Sequence, residues 1–409
     1  MFKGIFDFKN QNINLNFYVL LPVFGFIILG LVVLSSTSDL SNLASSFYKQ
    51  VLWILIGSFL FFIVQYVRIQ FLYDYSYIFY VLLLLIISST VLFAPRIAGA
   101  KSWFNFGGIF LQPSEFGKIL YVLCMSRFFT DNKNSKNLSV YLFIILGLLF
   151  LPIILILKQP DLGTAMVYVS IILPMLFWSG LKVKNIFLLV SPIITIIATY
   201  DIFYFYIWMI FFLIIIIISR YDIYMIITNF IINVVCGISS SYLWYEVLKP
   251  HQRNRLSTFI DPLGDPLGTG YQLIQSIISI GSGGFWGKGW GEGTQTHLKF
   301  LPVRDTDFIL SVMSEELGFF SIFILVVLLA VFVYWCILFS FKIDNSYASI
   351  VLVGLSSILF MHTIINLSVI SGLLPVTGLP APFISYGGSF MLTCCIIIGL
   401  INNIINNYL

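Results

Sequence analysis

The sequence predicts an all-α polytopic membrane protein, a bundle of about 10–12 transmembrane helices with one large extracytoplasmic loop. Three observations predict it. Of 409 residues, 59% are hydrophobic and only 9% are charged, whereas soluble domains carry about 25% charged residues. Such a chain cannot cover a water-facing surface with polar groups. Apolar runs of spanning or near-spanning length recur from end to end. Lysine and arginine are divided unevenly between alternate connections. Residues 1–409 therefore read as one integral membrane domain, with 249–306 as its outer loop.

The runs follow in order. Phe17–Ser35 lacks a small-residue cleavage site and reads as a retained helix rather than a signal peptide. Val51–Val67, Tyr77–Phe93, Pro113–Phe129, Leu138–Leu157 and Gly163–Trp178 come next. Three runs then crowd together at Ile186–Tyr200, Phe203–Ser219 and Ile223–Leu248. Asp307–Leu338, Ala348–Ile370 and Ser385–Ile405 close the set.

With the N-terminus cytoplasmic, the inner segments hold ten basic residues: Lys3, Lys9, Arg68, Arg127, Lys133, Lys136, Lys182, Lys184, Arg220 and Lys342. The short outer loops hold four, Lys49, Arg96, Lys101 and Lys158. That asymmetry favours cytoplasmic termini at both ends. The long outer segment carries Lys249, Arg253, Arg255, Lys288, Lys299 and Arg304, but long segments cross largely regardless of charge. Its apolar, tryptophan-containing composition argues against disorder. It is expected to form an ordered, partly re-entrant surface. Facing outward, it takes no nucleic acid as partner.

Four features face that side. GSGGFWGKGWGEGTQ is glycine-rich and can approach a ligand or a helix closely. It is no Walker A loop, because Gly289 follows Lys288 and Ser282 stands where a glycine is required. The basic residues there, with Gln275, Trp290 and Gln295, suit an anionic or sugar-like ligand, or simply lipid headgroups. In the loop from Arg96 to Lys118, Pro113 starts a helix and puts Glu115 and Lys118 on one face. Such a pair within a membrane segment faces a cavity or neutralises itself. In KQPDLGTA, Asp161 is either functional or a helix N-cap. Finally, Pro375, Pro380 and Pro382 with Gly372, Gly378, Gly387 and Gly388 break a helix at membrane depth, which is tolerated only where backbone is buried in protein or lines a cavity. The five cysteines lie in apolar runs without a CxxC, and the three histidines are far apart in sequence. Neither a zinc site nor a disulfide framework is supported.

These residues resemble the SEDS family (shape, elongation, division and sporulation). GLLPVTGLPAPFISYGGS looks like its signature, and QPSEFGK, QPDLGTA and DPLGTGYQLIQS with IGSGGFWGKGW match its other blocks in order. The resemblance runs from about Arg96 to the C-terminus, and the glycine-rich block is closer to the elongation branch than to the division branch. It implies a ten-helix core, so two spans of the middle trio would be additions. It also implies a peptidoglycan glycosyltransferase that polymerises lipid II outside the membrane during elongation and rod-shape maintenance. The implied partners are a class B penicillin-binding protein and other elongation-complex membrane proteins.

The family's essential aspartate aligns with Asp307, which becomes the expected base. Lys118, Lys288 and Arg304 become candidates for the pyrophosphate, with Glu115 orienting Lys118. Trp103, Gln112, Gln275, Gln295 and Ser385 complete the expected substrate-binding set. The alternative reading of Asp307 is a helix cap at an interface. Four positions depart from the family: Val303 for Glu, Asp305 for His, Ser102 for Arg and Ser368 for Gly. The missing arginine weakens a phosphate role for the loop at Ser102. No cofactor is evident. A divalent cation, Mg or Mn, on aspartate or pyrophosphate oxygens is compatible with the sequence, which identifies no metal ligands. A lipid II flippase or other transporter, or a non-catalytic scaffold of the elongation machinery, would also use many helices around a charged cavity.

Overall fold

The computed structural model describes residues 5, 14–96, 100–107, 109–133, 138–247, 250–266, 268, 270–298, 300–301 and 303–409. Lys3, Lys9, Lys136, Lys249, Lys299 and Pro302 lie outside the described residues. Each of the twelve apolar runs is a helix. They are α1 (Phe17–Thr37), α2 (Ser46–Gln65), α3 (Ile69–Phe93), α4 (Pro113–Asp131), α5 (Leu138–Lys158), α6 (Leu162–Trp178), α7 (Val183–Ala198), α8 (Ile202–Ile218), α9 (Ile223–Tyr242), α13 (Ile309–Lys342), α14 (Ser346–Ile370) and α15 (Gly388–Tyr408). The long segment before α13 adds α10 (Pro250–Ile260), α11 (Tyr271–Gly283) and the single turn α12 (Thr294–His297).

Among the described residues, eight helices are long and apolar enough to cross a bilayer. The shortfall from twelve has two causes. Helices α6, α7 and α8 have 17, 16 and 17 residues, just under a typical span. Helix α4 has 19 residues but carries Glu115, Lys118, Arg127 and Asp131. It can do so because protein surrounds it: α3, α6, α14 and α15 all pack against it, and Lys118 is 0% exposed. Helices α14 and α15 are buried even more fully. The trio α7–α9 packs chiefly on itself and meets the remainder through α6.

One element departs from an all-α reading. Phe104–Phe106 (β1) and Ile109–Leu111 (β2) pair antiparallel, with Phe104 opposite Leu111. Gly107 turns the hairpin at φ +62°, a conformation glycine adopts without steric cost. The hairpin rests on α15 and leads directly into Pro113 at the start of α4.

The connections expected on one side do meet at one end of the bundle. The Lys101 N–H donates to the Gln159 carbonyl at 3.3 Å, Ser46 Oγ donates to Asp305 Oδ2 at 2.7 Å, and the Tyr386 N–H donates to the Asp305 carbonyl at 2.9 Å. Turns α1–α2 and α14–α15 are thereby tied to the segment preceding α13, while turns α3–α4 and α5–α6 are tied to each other and line one cavity with that segment. At the opposite end, Arg127 donates to the Tyr73 and Asp74 carbonyls at 2.8 and 2.7 Å.

The glycine-rich segment is re-entrant in a specific sense. Helix α13 breaks at Gly318 (φ 75°, ψ −179°), a conformation open essentially to glycine alone. The segment fills the break. Lys288 and Gly289 N–H groups donate to the Glu315 and Glu316 carbonyls at 2.9 and 3.0 Å, and Phe319 and Phe320 N–H groups donate to Gly284 and Phe285 at 2.9 and 3.1 Å. Backbone groups freed by the break are thus paired, as burial demands. Any side chain on Gly287 or Gly318 would run into the other strand of this contact.

Candidate active site

A cavity of about 320 Å³ opens at the gathered end. Asp307 lines it, on the turn just before α13. Three backbone contacts fix that turn: the carbonyls of Asp305, Thr306 and Asp307 accept from the Tyr386 N–H at 2.9 Å, Ser385 Oγ at 2.6 Å and Asn366 Nδ2 at 3.0 Å. Each donor comes from the broken segment joining α14 to α15 or from the end of α14. The proline–glycine break therefore serves to seat this turn. Gly378, at φ +72°, leaves its Cβ position 3.5 Å from Asp307 Oδ2. Asp307 does not cap α13, whose N-cap position is Phe308 with no side-chain hydrogen bond. Burial pushes its carboxyl up to about 6, against the opposing pull of the Thr306 hydroxyl and the Arg255 charge. Near neutrality such a carboxylate is ionised yet basic enough to take a proton.

Of the expected residues, Trp103, Gln112 and Glu115 line the same cavity. The hairpin places the first two at its entrance and exit. Gln112 Nε2 donates to Asp161 Oδ2 at 2.7 Å, and Asp161 caps α6 by accepting from the Thr164 N–H at 3.0 Å. Asp161 is thus an N-cap and a cavity residue at once.

The other expected residues lie outside this cavity. Lys118 does not line the cavity but sits behind Glu115. Its Nζ lies 2.7 Å from Glu115 Oε2 and 2.6 Å from His362 Nε2, with the Phe390 ring 5.6 Å away. Lys288 is held at the α13 break, 2.6 Å from Glu315 Oε1. The Gln295 N–H donates to the same oxygen at 3.1 Å. Arg304 donates to the carbonyls of Thr296 and, at 3.0 Å, Thr37. It faces a second cavity of about 420 Å³ shared with Ser46, Asp305 and Tyr386. Gln275 is half-buried on α11 and lines neither cavity. Ser385 donates to Thr306 and accepts from the Ala381 N–H at 2.8 Å, so it holds the turn. Trp290 donates to the Val32 carbonyl of α1 at 3.0 Å.

Sequence reasoning passed over Asn366, His362 and Tyr386. It treated Arg255 only as one of six basic residues, yet Arg255 lines the cavity beside Asp307. A polar residue inside an apolar run just before the proline–glycine break was the available signal for Asn366. Among the described residues, no three His, Cys, Asp or Glu side chains converge as a metal site. Asp161 accepts from Gln112 and Thr164, and Glu115 from Lys118; a cation in the cavity would have Asp307 as its protein carboxylate.

Comparison with known proteins agrees with this architecture. The family model for cell cycle proteins of the FtsW/RodA/SpoVE type matches residues 12–206 and 189–408. The peptidoglycan glycosyltransferase RodA of Treponema pallidum is 30% identical, over 98% of this chain and 98% of its own. The peptidoglycan glycosyltransferase MrdB of Escherichia coli is 32% identical, over 81% and 76%. A chain from a peptidoglycan synthase complex that coordinates polymerization and crosslinking superposes with a TM-score of 0.72 at 25% identity, covering 96% of this chain and 98% of that one. The rod shape determining protein RodA of Thermus thermophilus shares the fold, with a TM-score of 0.63 at 22% identity over 96% and 97%. Helix order, the seated aspartate turn and these matches lead to one conclusion: the chain belongs to the FtsW/RodA/SpoVE family of cell cycle proteins.

Proposed function

We propose that this multi-pass membrane protein is a peptidoglycan glycosyltransferase of cell-wall elongation, polymerising lipid II with Asp307 as its base. The observation that carries the assignment of Asp307 is its seating: a half-buried carboxyl of raised pKa, on a turn held through three of its backbone carbonyls, in a cavity beside Arg255. In the reaction, the 4-hydroxyl of an acceptor GlcNAc attacks C1 of a donor MurNAc. The O4–C1 bond forms, the bond from C1 to the pyrophosphate oxygen breaks, and its electron pair leaves with undecaprenyl pyrophosphate. Asp307 takes the hydroxyl proton. Arg255 supplies positive charge for the leaving group, and Trp103 and Gln112 orient the sugars. A divalent cation, if bound, would be held by Asp307 and would supply further positive charge for the leaving group.

The active end faces away from the cytoplasm in this reading, supported by the ten-to-four division of basic residues. The partner is a class B penicillin-binding transpeptidase, by analogy with the synthase complex that the fold matches. The decisive experiment supplies purified protein with lipid II and measures glycan chains. Transport of lipid II without chain formation would replace the enzyme with a flippase. For sidedness, a cysteine at exposed Glu292 should react with a membrane-impermeant thiol reagent in intact cells. Labelling only after lysis would reverse the topology.

A further inference from the structure

Lys288 and Arg304 carry charge near the active end, yet neither lines the cavity of Asp307. What they touch suggests a different task. Glu315 is 0% exposed at the break in α13. Its Oε1 accepts from Lys288 Nζ at 2.6 Å, Thr294 Oγ1 at 3.0 Å and the Gln295 N–H at 3.1 Å, while Oε2 accepts from Thr296 Oγ1 at 3.2 Å. Lys288 also donates to Thr294 Oγ1 at 2.7 Å. Every residue from Thr294 to Thr296 is therefore tied to one buried carboxylate. Gly293 lets α12 come this close, since its Cβ position is 3.0 Å from Glu315 Oε2. The carbonyl of Thr296 in turn accepts from Arg304, whose other nitrogens reach the Thr37 carbonyl at 3.0 Å and Asp305 Oδ1 at 3.8 Å. Arg304 is three residues from Asp307.

We propose that Lys288, Glu315 and Arg304 form a positioning clamp: the buried pair fixes α12, and α12 fixes the near side of the turn that carries Asp307. The far side is held by Asn366, Ser385 and Tyr386. Resting on the reading of Asp307 as base, the clamp acts on the geometry of proton transfer and leaves the substrate's own contacts alone. A displacement of about 1 Å at a reacting group can cost about 10²-fold in rate. Arginine suits the bridging place because its planar fork holds two separate nitrogens in fixed geometry, one for each carbonyl, whereas a lysine offers a single nitrogen on a flexible stem.

The test is steady-state polymerisation of lipid II by purified variants, each checked for monodispersity and melting temperature. Glu315→Gln and Arg304→Lys should each lower kcat by about tenfold or more and leave KM within about threefold of the parent. Lys288→Met leaves a buried carboxylate unpaired, so Lys288→Met/Glu315→Gln should be less impaired than Lys288→Met alone. Should Glu315→Gln not fold, Arg304→Lys carries the test, because it leaves the buried pair intact. A rise in KM of about tenfold with kcat retained in Lys288→Met or Arg304→Lys would make that residue a substrate ligand and overturn the clamp. Parental kinetics in Arg304→Lys would overturn it as well. Absence of chains from the parent protein would instead reject the glycosyltransferase reading.

Discussion

Helices α4 and α8 make opposite use of the same surroundings. Helix α8 contains no charged residue, and most of it is exposed, Ile218 for example at 72%. Only Met209, Phe212 and Ile216 are buried, and Trp208 donates to Thr195 of α7 at 2.8 Å. Helix α4 carries two acidic and two basic residues, and Lys118 is wholly enclosed. In water this arrangement would be inverted. In lipid an apolar face needs no cover, because acyl chains are as apolar as leucine, whereas a charge must be enclosed and paired. Hydrophobicity therefore finds the spans, and the charges within spans mark the centre of the bundle.

The most damaging change should fall at the enclosed centre. Asp307→Asn is expected to lower polymerisation by at least about 10²-fold, while the protein still inserts and folds. The sign of its pH behaviour follows from the raised carboxyl: below about 6 the parent's base is protonated, so initial rates should fall as pH drops through that value. The folded state binds this proton more tightly than the unfolded chain, so ionisation opposes folding as pH rises through about 6. The Asn variant should consequently melt no lower than the parent at pH 7. Near-normal chain synthesis by Asp307→Asn would remove the base from the mechanism.

Next in size is the buried pair of α4. Lys118→Met strands the Glu115 carboxylate, and breaking such a pair costs about 3–5 kcal/mol. Thermal unfolding in detergent should show that loss, with much of it recovered in Glu115→Gln/Lys118→Met. A double variant that is stable yet fails to polymerise would show that the pair also serves the substrate. Smallest should be Phe203→Ala and Ile210→Ala on the exposed face of α8, each within about 0.5 kcal/mol of the parent and fully active. A large loss from either would place a protein neighbour, rather than lipid, on that face.

The same contrast explains what the sequence revealed. All twelve helices were legible because long apolar runs are a strong signal even where charges interrupt them, as in α4. The hairpin at Phe104–Leu111 was missed because two three-residue strands leave almost no alternation to read. Asp307, Trp103, Gln112 and Glu115 were placed by motif, and all four line one cavity. Lys288 and Arg304 fall outside that cavity, because a basic residue beside a polar loop suits a ligand and a protein acceptor equally well. Their acceptors, Glu315 and the carbonyls of Thr296 and Thr37, come from elements whose approach only folding establishes. His362 meets Lys118 across 244 positions of sequence, a distance over which no local pattern speaks.

The break at Gly318 has a mechanical consequence. Below it, Phe319–Lys342 is a rod long enough to span lipid by itself, and a span adapts to bilayer thickness by tilting. Above it, Ile309–Leu317 is enclosed by protein and bonded to the glycine-rich segment. The glycine-rich segment bonds to both sides of that break, so the rod and the stub are coupled through it. The carboxylate of Asp307 lies just before the enclosed upper stub, on the far side of the bridged break from the lipid-spanning rod.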